Sequence, residues 1–236
     1  MSAAGRVLHS TSVHPRLSSL FGALVLVALA AGLAPVAAEQ ASPPGAAATA
    51  NAVSRADARR MIEKAAAIEE RGDALTRPGT RGTAGTAPAT TLVTEREINS
   101  YLAFEAGSQV PVGVTEPRIT IHGDSRVSGT AVVDLDAVRR QRKATGWLDP
   151  MSYLTGRVPV FVAGTLTASN HVARFNLETA RISGVPVPKA LLQELLTYYS
   201  RTPATPRGLS LDDPFPLPAR IRQIDMRRGE AIVVQQ

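Results

Sequence analysis

Cysteine is absent from this chain of 236 residues. Its absence excludes disulfide bonds, thiolate catalysis, cysteine-based zinc sites and a lipidated N-terminal cysteine. Aromatic residues make up only 4% of the chain, and no run of twenty apolar residues lies beyond the first forty positions. A polytopic membrane protein is therefore excluded. Hydrophobic residues nevertheless make up 44% of the chain, a normal fraction for a packed protein, so disorder throughout is excluded as well.

The N-terminal segment has the pattern of a secretory signal. Arg6 and Arg16 are the only charged residues before an apolar stretch at 20–33, and Pro35 ends that stretch. Small residues at 36–38 then suit a signal peptidase, so the sequence predicts cleavage after Ala38 and export to the periplasm or the medium. The alternative is an uncleaved N-terminal membrane anchor, although fourteen apolar residues are short for a span.

Lysine is scarce: Lys64, Lys143 and Lys189 are the only three, and arginine supplies the rest of the positive charge. The predicted signal peptide carries two arginines and no acid, so the mature chain has 24 basic and 20 acidic residues. This mild excess is compatible with anionic surfaces but falls short of a dedicated nucleic-acid binder. Nucleic acid is therefore not an expected partner.

Two predicted segments precede the main domain. Small and polar residues at 39–53 are typical of a flexible leader, and a weakly amphipathic helix is predicted over about 54–71, ending at Gly72. Residues 76–91 are rich in Gly, Thr and Pro and are predicted to form a linker. The sequence therefore predicts a leader region at 39–91 and a separate compact domain at 92–236.

The predicted domain opens with a helix followed by two hairpins. Thr94 and Glu97 have the spacing of a capping box at the start of that helix. Apolar and polar residues then alternate with the period of half-buried strands. Turn signals at 123–124 and 169–170 divide these strands into two antiparallel hairpins.

An insert, a helix and a last hairpin complete the predicted domain. Residues 136–155 are expected to form two short helices, and a Leu-rich helix is predicted over 188–200. A proline-rich stretch at 203–218 is expected to be extended, and two final strands turn at 228–229. The predicted fold class is α+β: a strongly curved antiparallel sheet packed on two helices, preceded by a signal peptide and a separate N-terminal helix.

The sequence contains no candidate catalytic site. The mature chain has two histidines, His122 and His171, and each lies beside a predicted turn, where polar residues are common for conformational reasons. Two histidines without cysteine make a transition-metal site improbable. No phosphate loop, dinucleotide fingerprint or HExxH motif occurs. We therefore expect a protein that is not an enzyme and that uses no cofactor and no metal.

A basic cluster in the insert is followed at once by aromatic and apolar residues. Such a sequence can seat a protein on an anionic membrane surface. The alternative is a solvated helix whose charges simply suit the helix dipole. The candidate membrane-surface residues are Arg139, Arg140, Arg142, Lys143 and Trp147.

The order of short motifs in the domain resembles that of a known family. The motifs are TEREIN at 94–99, GVPVP at 184–188, LLQELL at 191–196 and PFPLP at 214–218. Their layout is similar to that of exported bacterial proteins of the tubular lipid-binding (BPI-like) type. The small phospholipid-binding members of that type wrap a strongly curved antiparallel sheet around a long helix. The resemblance implies a protein that binds or carries an acyl-chain lipid, a phospholipid or a fatty-acyl ligand, in the cell envelope and without catalysis.

Strand alternation and the Leu-rich helix together predict an apolar groove. The same side chains would equally make an ordinary solid core, in which case the domain would serve as a structural or protein-interaction module. Both alternatives stay open at the level of sequence. The candidate ligand-binding residues are Ile119, Ile121, Val133, Phe175, Leu177, Leu191 and Leu195.

Overall fold

The computed structural model describes residues 52–76, 88–108, 110–141, 156–199, 206–208 and 210–236. The helices of this part are α1 (Arg55–Thr76), α2 (Glu95–Phe104), α3 (Leu135–Gln141) and α4 (Lys189–Tyr199), and a 3₁₀ turn covers Ala106–Ser108. The strands are β1 (Ala89–Thr94), β2 (Val114–Gly123), β3 (Arg126–Asp134), β4 (Arg157–Ser169), β5 (Val172–Ile182), β6 (Val185–Pro186), β7 (Phe215–Pro216), β8 (Ile221–Arg227) and β9 (Glu230–Gln235). The described strand pairs are antiparallel, which confirms the predicted α+β class.

The two predicted hairpins form the larger sheet. Its strand order is β2-β3-β4-β5-β6, and β7 also pairs with β5. Both turns lie one residue later than predicted: Asp124 and Ser125 close the first hairpin, and Asn170 and His171 close the second. All four residues have positive φ, between 51° and 65°. Two-residue turns of this handedness match the right-handed twist of the flanking strands.

A second, three-stranded sheet has the order β1-β9-β8. The β8–β9 hairpin with its turn at 228–229 agrees with prediction, whereas the first half of β1, residues 89–91, lies in the predicted linker. β1 pairs with β9 over its whole length, from Ala89 opposite Gln235 to Thr94 opposite Glu230. The structure therefore contains two sheets where the sequence predicted one, because a short Thr-rich segment gains its partner from the far end of the chain.

Helix α1 packs on α2, β1 and β9, which differs from the separate helix expected from sequence. Ala58, Met61 and Ile68 are at most 4% exposed, so the weak apolar stripe of this helix is part of the core. The helix also continues through Gly72 to Thr76. A Cβ at Gly72 would lie 2.5 Å from the Ala219 Cα. Glycine therefore permits a close approach of two backbones here rather than ending the helix.

Ion pairs join α1 to α2. Lys64 Nζ lies 2.7 Å from both carboxylate oxygens of Glu97, and Arg96 Nε lies 3.1 Å from Asp57 Oδ2. The Ser54 hydroxyl donates to Asp57, and this bond, together with the nearby arginines, holds the pKa of Asp57 below its ordinary value despite burial. Burial raises the pKa of Glu97, but hydrogen bonds from Lys64 and Thr94 outweigh it, so the pKa of Glu97 is lowered.

Helix α2 begins with the predicted capping box. Thr94 Oγ1 accepts from the Glu97 N–H, while the Glu97 carboxylate accepts from the Thr94 N–H at 2.9 Å. The same helix closes the free edge of β2. Asn99 accepts from the Ile119 N–H at 2.7 Å and donates to the Ile119 carbonyl at 2.8 Å, and Glu95 accepts from the Ile121 N–H at 2.8 Å. These side chains form hydrogen bonds with main-chain groups of β2 that an exposed sheet edge would leave free to pair with another strand.

Gln235 ties α1 to the smaller sheet. Its side chain is 1% exposed, and its amide nitrogen donates to the carbonyl oxygens of Ile68 and Ala219, both at 2.7 Å. Its amide oxygen accepts from Arg71, which also donates to Thr91. A buried polar side chain is stable only when its hydrogen bonds are made, so this residue fixes three segments at once.

Candidate functional site

The predicted groove residues on the strands belong to the buried core. Ile119, Ile121, Val133, Phe175 and Leu177 are 8% exposed or less and lie in one hydrophobic cluster with the neighbouring strands. Exposures this small do not leave an open groove along that face. The alternation predicted from sequence is therefore correct, and a ligand-binding role for these side chains stays a prediction.

Helix α4 presents a different face to the sheet from the one predicted. Leu192 and Leu196 are buried, at 1% and 4% exposed, whereas Leu191 is 43% exposed. The face of α4 that packs on the sheet therefore carries Leu192 and Leu196, and Leu191 is not on it. Leu195 lies within α4, and its side chain is outside the described part of the structure. The sequence offered two adjacent Leu pairs at helical spacing, and packing against the sheet selects between them.

The candidate membrane-surface residues fall largely outside the described part of the chain. Arg140 is exposed on α3, and Arg139 belongs to the same helix. Arg142, Lys143 and Trp147 lie outside the described residues. The first predicted helix of the insert is present as α3. Contact of this cluster with an anionic membrane stays a prediction.

An open apolar pocket lies between the end of α2 and the start of β2. We call it the apolar pocket; its volume is about 510 Å³. Leu102 is buried beneath it, whereas Val112 is 49% exposed at its rim. The lining residues are Val53, Asn99, Leu102, Ala103, Gly107, Val110, Pro111, Val112, Gly113, Val114, Thr115, Glu116, Pro117 and Arg118.

An irregularity at the start of β2 shapes this pocket. Glu116 has a φ of 54°, and the register of β2 against β3 shifts between Thr115 and Arg118. Positive φ is uncommon for a residue with a side chain, and an irregular register bends a strand locally. The bend lies where Pro117 follows Glu116, so the beginning of β2 diverges from the regular ladder and the loop at 110–113 forms the other wall.

A second open pocket lies on the outer face of the larger sheet. We call it the arginine pocket; its volume is about 460 Å³. Strand register places four residues abreast across it, in the order Arg118, Thr130, Phe161 and Arg181. In each strand at least one neighbouring residue is buried, namely Ile119, Ala131, Val160 and Ile182, so these four project to the opposite, outer side. The lining residues are Glu116, Arg118, Thr130, Ala131, Val132, Pro159, Val160, Phe161, Arg181 and Gly184.

The charges of the arginine pocket are unevenly paired. The carboxylate of Glu116 lies 3.1 Å from Arg157 Nη2, which also donates to Thr115 at 3.0 Å. Within the described ranges, the side chains of Arg118 and Arg181 make no hydrogen bond or ion pair. The acid at the rim is thus already paired with a third arginine, and among the described residues no acid pairs with the two guanidinium groups that line the pocket. Arg118 and Glu116 line both pockets, so the pockets adjoin.

One serine–histidine contact occurs on the same outer face. His122 Nε2 lies 2.7 Å from Ser128 Oγ, and the pair is exposed. A catalytic triad needs a third group to orient the base through its other ring nitrogen. Among the described residues, no such contact to His122 is made, and no group of three potential metal ligands occurs. Strand pairing brings Ser128 to His122 from the neighbouring strand.

No protein-family model, curated protein or solved structure matches this chain. None of the helices in the described ranges has the length and apolar character needed to cross a membrane. The resemblance to the tubular lipid-binding proteins therefore stays a prediction from layout. The two adjoining pockets are the candidate site, and their residues carry the functional inference.

Proposed function

We propose that this chain is an exported, non-enzymatic protein of the cell envelope that binds an acyl-chain lipid in the apolar pocket. The observation that carries the proposal is an open pocket of about 510 Å³ with apolar walls. This volume falls in the usual range for small-molecule sites, which are mostly apolar with a few polar groups at defined places. Arg118 is such a group here.

Burying a short stretch of acyl chain would contribute only a modest free energy of binding. Each buried methylene contributes about 0.8 kcal/mol, so eight methylenes would contribute roughly 6 kcal/mol. Association itself costs an estimated 4–15 kcal/mol. Apolar contact alone therefore gives weak binding, and a lipid held here would be exchanged readily. Such exchange suits a carrier better than a protein that retains its ligand permanently.

Val112→Asp tests the proposal directly. Val112 is half exposed, so a carboxylate at its position makes the rim polar without burying a charge in the core. We expect the affinity for a fluorescently labelled dodecanoic acid to fall at least fivefold in the full chain. Val172→Asp is the matched control, because Val172 is 43% exposed on β5 and does not line the pocket.

The same titration gives the results that would overturn the proposal. The Val172→Asp variant should bind the probe as the unchanged protein does. Both variants should have the same melting temperature as the unchanged protein. Failure of the unchanged protein to bind the probe at any accessible concentration would overturn lipid binding. An equal loss in the two variants would overturn the assignment of the site.

A structural or protein-interaction domain of the envelope is the second candidate. The observation that favours it is the dense packing of the strand residues predicted to form a groove, together with the docking of α1 on the same domain. Native mass spectrometry of the exported protein, purified from its own host, separates the two candidates. Co-purifying lipid supports the first, and its absence together with a bound protein supports the second.

A further inference from the structure

In the described part of the structure, the side chains of Arg118 and Arg181 line the arginine pocket and have no hydrogen-bond or ion-pair partner. Arg118 lies on β2 and Arg181 on β5, so three strand spacings of about 4.8 Å separate their backbones by roughly 14 Å. Both side chains are exposed and both line the pocket. Long arginine side chains at the two ends of a row can lean inward over the two central strands. An anion lying over the row therefore receives hydrogen bonds from both sides.

The floor of the pocket is suited to an organic group rather than to a bare ion. Phe161 is partly buried between the two arginines, next to Thr130. Val132 and Pro159 are opposite one another in the next row and continue the apolar surface. An aromatic ring offers its face to a planar or apolar group, and the Thr130 hydroxyl can donate a hydrogen bond to an oxygen. A volume of about 460 Å³ exceeds what a single inorganic anion fills.

From this arrangement we propose that the arginine pocket binds a small organic phosphate monoester. The phosphate lies between Arg118 and Arg181, and the organic group lies on Phe161. Guanidinium groups match phosphate oxygens in a two-pronged geometry that lysine does not reproduce. Glu116 does not oppose the ligand, because its carboxylate is paired with Arg157. The arginine pocket is a different site from the apolar pocket proposed to bind lipid, although Arg118 lines both pockets.

Phenyl phosphate is the probe for this proposal, because it combines the two groups in one small molecule. Isothermal titration of the full chain in low salt should show phenyl phosphate binding more tightly than inorganic phosphate, and phenol binding not at all. Arg181→Ala should weaken phenyl phosphate about tenfold, since a charge-assisted hydrogen bond is lost. Raising the salt concentration should weaken binding as well, because the site is open to solvent.

Arg174→Ala is the matched control for Arg181→Ala. Arg174 lies on the same strand, is also exposed to solvent, and does not line the pocket. It should leave the affinity for phenyl phosphate unchanged. A loss as large as that of Arg181→Ala would show general charge attraction and overturn the proposed site.

Phe161→Leu separates the organic subsite from the phosphate subsite. This variant keeps an apolar side chain of similar position, and thermal melting establishes that it is folded. We expect it to weaken phenyl phosphate several-fold while inorganic phosphate is unaffected. An equal effect on both ligands would overturn the role assigned to the ring.

Vesicles distinguish a soluble ligand from a membrane surface. The full chain is tested against phosphatidylglycerol vesicles alongside phenyl phosphate. Binding to vesicles with no binding to phenyl phosphate at millimolar concentration would overturn the proposal and indicate membrane docking. The Val112→Asp variant should bind phenyl phosphate normally, so failure of the lipid proposal and failure of this one give different results.

Discussion

Replacing Gly72 with alanine tests whether α1 belongs to the folded domain. In an isolated helix the change is stabilising, because alanine is favoured over glycine by roughly 0.5–1 kcal/mol in a helix interior. In this structure an alanine Cβ would lie 2.5 Å from the Ala219 Cα and 2.6 Å from its carbonyl carbon and oxygen. These distances are far inside van der Waals contact. The sign of the stability change therefore depends on whether the helix is docked.

The size of the change follows from two opposing contributions. Overpacking a tight contact costs about 1–3 kcal/mol, and backbone atoms of Ala219 have less freedom to move than the end of a flexible side chain. Subtracting the gain in helix propensity leaves a net loss of up to about 2.5 kcal/mol. For a domain of this size that loss lowers Tm by up to about 10 °C.

Thermal melting of the full chain, followed by circular dichroism, measures this effect. Gly107→Ala is the matched control, since a Cβ there meets nothing within 4 Å and the backbone does not need positive φ. That control should be neutral or stabilising by less than about 1 kcal/mol. A rise in Tm for Gly72→Ala, of the size seen in the control, would refute the docked helix.

Three further predictions concern the core, the β2 edge and the response to acid. Leu192→Ala should lower the free energy of unfolding by about 2–5 kcal/mol because its side chain is 1% exposed. Leu191→Ala should change it by less than about 0.5 kcal/mol, and equal effects in urea denaturation would contradict the assigned face of α4. Asn99→Leu leaves a buried N–H and C=O of β2 without partners and should cost about 2–4 kcal/mol; a loss below about 0.5 kcal/mol would contradict that role. The pKa values of Asp57 and Glu97 are lower in the folded protein than in the unfolded one, so their ionised forms stabilise the fold above about pH 4, and this is lost as the pH falls further. Urea denaturation between about pH 5 and pH 3 should show that decline, with Glu97→Gln making it shallower; an unchanged slope would contradict it.

Local signals predicted most of the secondary structure. The capping box, the hairpin turns and the last strand pair depend on residues close together in sequence, and each lies within one or two residues of its predicted place. Strand β1 was missed although four of its six residues are β-branched, because it is short and directly follows a stretch rich in Gly, Thr and Pro. Its partner is β9, and a pairing between the two ends of a domain leaves no trace in a short window of sequence.

The candidate site was predicted less well than the fold. Alternation showed which strand residues share a face, yet it does not say whether that face is filled by other side chains. The row of Arg118, Thr130, Phe161 and Arg181 draws one residue from each of four strands. Only the register of three strand pairs brings these residues together, and a shift by one residue would turn each side chain to the other face. The amino-acid composition did not indicate this row of residues.

The pairing of β1 with β9 has a consequence for when this protein folds. The hydrogen bond from Gln235 to the Ile68 carbonyl joins residues 167 positions apart, and α1 and β1 are made long before the strand that holds them. Synthesis delivers the chain from its N-terminal side, so α1 can dock on α2 early, whereas β1 gains its strand partner only when β9 emerges. Contacts that close so long a loop form late and slowly. We therefore expect the smaller sheet to close after the larger one.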